Sequence, residues 1–362
     1  HKPDRRQRQM CIRDRRQSSA SRREALDRVT FAEGLGSLLD RTERIERLTG
    51  LLLKQLGLDQ SVVDAAQRAA HFCKNDLVSQ MVGEFPELQG LMGGKYLLEE
   101  GQPRDVALAV VEHYLPRGAG DALPATPAGA VVALAERLEL LLSIFAKGER
   151  PTGSSDPYAL RRAGNGVVQI LWGTAWRLDL MAFLSNAVEE WAALFPAFAV
   201  DASQLHNDLC QLMRQRIVSQ LEDDGFAPDL VQAVAGDAVS SQRLLSDPLD
   251  VKQRIQLLRD LRNSGQLDAV QAVVQRAAKL AEKGDLARDQ LVAGEVVEAE
   301  RFESASEKDL FAALEQLQPL AQQRSYKALA DALIAATPAL QAFFDGDTSV
   351  MVMVDDAALR LN

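Results

Sequence analysis

The fold is decided by the stretch TPAGAVVALAERLELLLSIFAKG, which occupies residues 126–148. Thr126, which a proline follows, is a typical N-cap, because its side chain can accept a bond from a backbone N–H of the first turn. Apolar side chains then recur at steps of three and four residues from Leu134 to Phe145, and Gly148 ends the run. The stretch therefore predicts a core helix in an all-α protein.

Helical periodicity also dominates the sequence on both sides of this stretch. Apolar residues at three- and four-residue steps mark residues 41–53, and similar segments follow as far as residue 344, separated by glycine, serine and Asp-Pro breakers. Strand signals are nearly absent. The exception is VMVMV at 350–354, which fits a short extended segment or the start of a last helix. We predict two helical domains, residues 29–195 and 196–362.

Composition indicates a globular protein without membrane contact. The 362 residues are 47% hydrophobic and 25% charged, which is ordinary for a soluble chain. Charge-free stretches reach only about 14 residues, too few to span a bilayer. The three scattered cysteines form no Cys-x-x-Cys pair, so neither a disulfide framework nor a zinc knuckle is indicated, and a reducing cytoplasm fits.

The charge is unevenly distributed. The net charge is −10, although residues 1–28 carry ten Lys or Arg against four acids, which leaves about −16 for the rest. An acidic body does not attract nucleic acid as a whole, so an RNA contact would need local basic patches. Residues 1–28 lack apolar periodicity and predict disorder. They fit either a nucleic-acid-binding arm or foreign sequence fused to a truncated gene, and RQMCIRDR at 8–15 favours the second.

Three turn-rich blocks interrupt the helical sequence. They read EFPELQG at 84–90, EHYLP at 112–116 and PTGSSDPYALRR at 151–162, and loops on a rigid scaffold often carry function. With these blocks, the chain from about residue 29 onward resembles the beta subunit of the bacterial two-subunit glycyl-tRNA synthetase. Its last residues, 350–362, are similar to the signature of the helical anticodon-binding domain shared with arginyl-tRNA synthetase. That motif leads into a further helix, so we expect a truncated C-terminus.

The first domain is also similar to the HD-domain phosphohydrolases, which hold a divalent metal with histidines and aspartates. Here Asn75-Asp76 stands where the His-Asp pair belongs, Arg41 falls near the first histidine, and Glu136 takes the place of the late aspartate. An arginine in place of an imidazole leaves too few ligands and an unfavourable charge, so we predict no metal site. His113 is expected to fix its loop by a hydrogen bond, and Asp76 to cap or pair locally.

Basic residues supply the candidate RNA contacts. A Gly-Ser turn with nearby guanidinium groups suits a phosphate, and unstacked RNA bases need planar groups and donors. Alternatively, the loop is a solvated surface whose arginines pack against Asp156, and the other arginines face water or pair with acids. The candidate tRNA-binding residues are Lys147, Arg150, Arg161, Arg162, Arg214, Arg216 and Arg360.

The resemblance implies a function for the whole enzyme. It would join glycine to tRNA(Gly) with ATP and Mg²⁺, through an aminoacyl-adenylate formed on a separate alpha subunit, in a cytoplasmic alpha2beta2 heterotetramer. This chain would bind tRNA and the alpha subunit, with no DNA contact and no catalytic residue, metal or cofactor of its own. Two alternatives are an HD-type metal-dependent phosphohydrolase and a helical scaffold without an RNA role.

Overall fold

The computed structural model describes residues 5–282, 297–345, 347 and 349–350. Within this part the chain forms helices, turns and two isolated bridge pairs but no strand. The predicted all-α class is therefore confirmed. The packing divides the chain into two compact units, residues 1–252 and 253–362.

The helices follow one another with short connections. Those of the first unit are α1 (Arg5–Arg15), α2 (Ser19–Ala25), α3 (Leu38–Leu56), α4 (Gln60–Phe72), α5 (Gln80–Glu84), α6 (Leu91–Glu99), α7 (Arg104–Glu112), α8 (Pro127–Ala146), α9 (Leu160–Gly173), α10 (Leu180–Leu194), α11 (Ala202–Asp223), α12 (Pro228–Ala235) and α13 (Ser241–Leu245). The division into units falls within α14 (Pro248–Asn263), and the second unit continues with α15 (Leu267–Ala281), α16 (Ala305–Gln322), α17 (Tyr326–Ala335) and α18 (Thr337–Asp345).

Helix α8 is the centre of the first unit. The Thr126 side chain accepts from the backbone N–H of Gly129 at 3.1 Å, as its N-cap position predicts. All α8 residues except Pro127, Glu136 and Leu140 are buried, against α3, α4, α7, α9, α10 and α11. The helix is thus surrounded on all sides, which is why its sequence is apolar well beyond one face.

The expectation of disorder over residues 1–28 is wrong for the residues from Arg5 onward, because they form α1, α2 and a 3₁₀ turn. The Arg22 side chain, fully buried, donates to the carbonyl oxygens of Asp14 and Gln17 at 2.9 and 2.6 Å and lies over the Tyr96 ring. Its partners are spread over distant segments, including Asn75 at 3.3 Å, so no local periodicity marks the segment as folded.

The second unit is a smaller helical array. α16 begins with a capping box in which Ser304 and Glu307 bond each other's backbone N–H groups. α17 and α18 pack against α16, and α15 packs against α17. The Arg276 side chain of α15 pairs with Asp345 at the end of α18 and lies 4.7 Å from the Phe344 ring centroid. The segment 351–362, with Arg360, lies outside the described residues, so its assignment stays a prediction.

The predicted boundary at residue 196 separates two functional domains, and it also stays a prediction. In the structure, α11 to α13 belong to the first unit, where α11 packs against α8, α9 and α10. No helix among the described residues has the length and apolar character needed to cross a membrane.

Candidate nucleic-acid interface

The loop between α8 and α9 presents the arginines of the third turn-rich block. Thr152 and Ser155 close a tight turn through two backbone hydrogen bonds of 3.0 and 2.7 Å. The Asp156 carboxylate then accepts from the backbone N–H groups of Leu160 and Arg161 at 2.8 and 3.0 Å, which caps the start of α9. Since Asp156 bonds the backbone, it serves to begin the helix rather than to hold the guanidinium of Arg161.

Arg150 is committed to a contact within the protein. Its Nε and one Nη donate to Asp208 of α11 at 2.9 and 2.7 Å, and its other Nη donates to the Phe145 carbonyl at 2.6 Å. The guanidinium also lies 4.2 Å from the Phe145 ring centroid. Lys147 reaches Glu149 only at 3.8 Å. Arg150 therefore joins α11 to the end of α8, and a phosphate would have to compete with these partners.

Arg214 of α11 is also committed. Its guanidinium donates to the carbonyl oxygens of Gly236 and Val239, and to that of Ala235 at 3.4 Å, all of which follow or end α12. The last carbonyls of a helix lack intrahelical partners. Arg214 supplies partners at this helix end, so its contacts are those of a structural residue.

Arg161, Arg162 and Arg216 form the remaining basic group, here called the arginine cluster. Arg162 is exposed and the other two are half-buried. Arg216 packs so close to Gly164 of α9 that a Cβ there would meet its Cγ at 2.7 Å. Its Nε is buried without a hydrogen-bond partner. Burial, followed by the charge of Arg161, lowers the pKa of Arg216, as expected for neighbouring cations.

The arginine cluster differs from the other candidates in having uncommitted guanidinium groups. Among the residues that the structure describes, none of the three makes a side-chain hydrogen bond or salt bridge. Asp156 and Asp223 act on Arg216 only at longer range. The structure thus brings three of the seven predicted residues together on α9 and α11, commits Arg150 and Arg214 elsewhere, and leaves Lys147 weakly paired.

A polar cleft of about 410 Å³ adjoins this cluster. α9 contributes Arg162, Asn165 and Gln169. The end of α11 contributes Gln220, Asp223 and its C-cap Asp224, and the loop residues Pro116, Gly118, Ala119 and Gly120 form the remaining wall. Sequence reasoning missed the cleft. The only signal was the recurrence of polar side chains at steps of three and four residues on α9, a helix whose other faces are largely apolar.

Two of the four positions compared with HD-domain ligands, Arg41 and Glu136, belong to a buried ion-pair network. The Glu136 carboxylate accepts from Arg41 at 2.8 Å and from Lys74 at 3.1 Å, and Arg41 also donates to Glu139 at 2.7 Å. Burial alone would raise the pKa of Glu136, but Lys74 and Arg41 outweigh it and hold that pKa well below its usual range. Two cations therefore occupy the space around Glu136. Lys74 is the member that sequence reasoning missed.

Asp76 caps a nearby helix, as predicted, whereas His113 bonds the helix that precedes it rather than the loop that follows it. One Asp76 oxygen accepts from the backbone N–H groups of Gly90 and Gly93 at 2.7 and 2.9 Å, so Asp76 caps the start of α6. Burial raises the pKa of Asp76 even though these N–H groups act in the opposite direction. His113 bonds the Val110 carbonyl at 2.5 Å, and burial followed by Lys74 lowers its pKa to about 3, so it is neutral. No group of three or more His, Cys, Asp or Glu side chains in the described part of the chain is arranged to hold a metal ion.

Two of the three tryptophans bond other residues of the protein through their indole N–H groups. Trp191 is fully buried and donates to Ser143 at 3.1 Å, while the half-buried Trp172 donates to the Pro248 carbonyl at 2.8 Å. The Lys252 ammonium lies 4.6 Å from the Trp172 ring centroid. Trp172 and Trp191 are therefore bound to partners of their own.

Comparisons with known proteins find one family. A family model described as "Glycyl-tRNA synthetase beta subunit" matches residues 11–236. The chain is 45% identical over 343 residues to the glycine–tRNA ligase beta subunit of Acaryochloris marina, which covers 93% of this chain and 48% of that protein. It is 38% identical over 353 residues to that of Ectopseudomonas mendocina, covering 96% of this chain and 48% of that protein. The chain thus spans about half the length of these relatives.

Proposed function

Because the chain belongs to the family of the glycyl-tRNA synthetase beta subunit, we propose that it is the tRNA-binding part of a cytoplasmic glycine–tRNA ligase. The whole enzyme would attach glycine to tRNA(Gly) with ATP and Mg²⁺, and the chemistry would take place on the alpha subunit. This chain would bind and position tRNA, without a catalytic residue or cofactor of its own.

The arginine cluster is the observation that supports RNA binding most directly. Arg161, Arg162 and Arg216 lie on two helices and form no ion pair or side-chain hydrogen bond within the described residues, where Asp156 and Asp223 act on Arg216 only at longer range. Arg150 and Arg214, by contrast, bond other groups of the protein. Arg161 and Arg216 are half-buried cations that repel each other, and a bound anion would relieve this repulsion. A phosphate accepts charge-assisted bonds from guanidinium groups in a planar geometry, as RNA backbone binding requires.

Removal of the two cluster charges on α9 tests this proposal. In the variant Arg161→Ala/Arg162→Ala, we expect weaker binding of a tRNA(Gly) transcript and a salt dependence whose log–log slope falls by about 2, one for each lost phosphate contact. The matched control is Arg28→Ala/Arg47→Ala, which removes two exposed arginines at other places in the first unit and should leave the slope unchanged. Equal affinity and slope in both variants would contradict the proposal.

The alpha subunit and an alpha2beta2 assembly complete the proposal, since the relatives are named as one subunit of a ligase. The full chain should co-elute with the purified alpha subunit in size-exclusion chromatography. Separate elution at micromolar concentrations would refute the partner without bearing on tRNA binding.

A further inference from the structure

The cleft beside the arginine cluster has the dimensions of a ligand site and a polar lining. Its volume of about 410 Å³ falls within the range of about 300–1,000 Å³ that small-molecule pockets occupy. Two helices and one loop form its walls, so its polar groups converge from separate segments on one space. A space of this kind suits one small bound group better than the broad surface of a partner molecule.

Several polar groups of this lining are uncommitted. Within the described structure, the side chains of Asn165 and Gln169 make no hydrogen bond, and Asn165 Oδ1 is buried without a partner. Gln220 donates to one oxygen of Asp223 at 3.1 Å, and the second oxygen of Asp223 makes no hydrogen bond to a described residue. Buried polar groups are normally paired, so an unpaired one that lines a cleft is available to bond a ligand.

The two carboxylates of the lining disfavour a phosphate in the interior of the cleft. Asp223 and Asp224 both line the cleft, and only Asp224 has an ion-pair partner in the described residues, Lys252. An RNA phosphate would be repelled by these carboxylates. A base is uncharged and offers donors and acceptors on its edges, and proteins read RNA sequence from unstacked bases of this kind.

Guanine fits this set of groups best. Its N1–H and N2–H groups are adjacent donors that match a carboxylate, and its O6 accepts from an amide N–H. Adenine presents an acceptor at N1, which would face the carboxylate unfavourably, and uracil offers a single N–H donor. Asp223 can therefore distinguish guanine from the other two bases, while either Asn165 or Gln169 can donate to O6.

From these observations, and resting on the proposed RNA binding, we infer that the cleft between α9, α11 and residues 116–120 binds one unstacked guanine base. Asp223 accepts from its Watson–Crick edge and the amides of Asn165 and Gln169 contact O6. Arg162 lies at the same cleft and belongs to the arginine cluster, so a phosphate next to the bound base would meet a cation.

Short single-stranded RNAs test the inference with the full chain. Fluorescence anisotropy would compare labelled UUGUU, UUAUU and UUUUU, which share the same backbone charge. A matched base contact discriminates by about 1–3 kcal/mol, so we expect UUGUU to bind about tenfold more tightly than the other two. Equal binding of the three RNAs, or no measurable binding of any of them, would overturn the inference.

Two variants show whether the preference arises in the cleft. Asp223→Asn keeps the shape of the side chain but replaces a carboxylate oxygen with a donor, so the preference for guanine over adenine should vanish. Gly118→Leu adds a side chain where a Cβ meets no atom within 4 Å, so it should obstruct the cleft without straining the fold. Its control, Gly83→Leu, lies in α5, where a Cβ also meets no atom within 4 Å, and should keep the preference.

The outcomes separate this inference from the proposed function. A guanine preference that survives both cleft variants would place recognition elsewhere and overturn the inference, even if tRNA binding depends on Arg161 and Arg162. Conversely, tRNA affinity that ignores the Arg161→Ala/Arg162→Ala change would refute the proposed phosphate contacts, while a preference abolished by Asp223→Asn would still support the base site. Melting curves that match wild type verify that each variant is folded.

Discussion

Replacing Glu136 with glutamine perturbs the buried ion-pair network at its shared carboxylate. Glu136 Oε1 accepts from both Arg41 and Lys74, and the exposed fractions of the Glu136, Arg41 and Lys74 side chains are 14%, 10% and 3%. Glutamine keeps the size and one acceptor oxygen but removes the charge. The change therefore isolates the electrostatic contribution of this carboxylate to the free energy of unfolding.

The expected loss follows from what each cation retains. Arg41 keeps Glu139 at 2.7 Å, whereas Lys74 keeps only the ring of Tyr114, 4.4 Å away, among the described residues. Removal of one partner from a buried pair costs about 3–5 kcal/mol, because the other charge stays buried. Lys74 loses the only carboxylate with which it forms an ion pair among the described residues, while Asp76 still acts on it at longer range. We therefore expect the lower end, about 3 kcal/mol.

Urea unfolding at pH 7 measures this loss. The matched control is Glu99→Gln, which removes the carboxylate of an exposed pair with Arg15 and should cost less than about 1 kcal/mol. Because the pKa of Glu136 is depressed, its stabilisation is present above the usual carboxylate pKa and is lost as the pH falls through the folded value. The difference from wild type should therefore shrink in acid. A loss below about 1 kcal/mol at pH 7 would refute the reasoning.

Two further predictions concern Asp76 and Arg214, whose side chains bond backbone groups at helix ends. The raised pKa of Asp76 means that its contribution to stability is present below the usual aspartate pKa and is lost as the pH rises through the folded value. Asp76→Asn, which keeps an acceptor for α6, should flatten this dependence in urea unfolding from pH 4 to 7, whereas an unaltered slope would contradict the assignment. Arg214→Ala should destabilise the protein by about 2 kcal/mol in the same assay, because three carbonyl groups lose a charged donor. A loss of tRNA affinity at unchanged stability would instead make Arg214 an RNA contact.

Caps and breakers in the sequence predicted where helices begin and end, because interactions between neighbouring residues determine these positions. Thr126 capped α8 as expected, and α12 occupies Pro228–Ala235, the segment that its proline and the following Gly236 mark. Helix starts and ends depend on bonds between residues a few positions apart. Periodicity therefore located the helices well, and the family resemblance carried the functional assignment.

The partners of several charged side chains, and the cleft, could not be predicted from the sequence because they depend on contacts between distant parts of the chain. Arg150 and Arg214 are of the residue type that contacts RNA, but both bond other parts of the protein. Arg150 bonds Asp208, which is 58 residues away, and Arg214 bonds carbonyl groups at the end of α12. Lys74 pairs with Glu136, which is 62 residues away. Likewise, the cleft exists only because α9, α11 and a distant loop meet. None of these distances can be read from the spacing of residue types.

Arg22 shows that the first two helices contribute buried contacts to the fold, which limits how far the chain can be shortened from its start. A chain cut at Val29, where the helical periodicity begins, would lose this guanidinium and would leave Asn75 Oδ1 and the ring of Tyr96 without it. It would also lose Asp14, whose carboxylate receives two backbone N–H groups at the start of α5. Removal of residues 1–28 would thus remove contacts that hold the first unit together. A recombinant protein meant for binding studies should retain these residues.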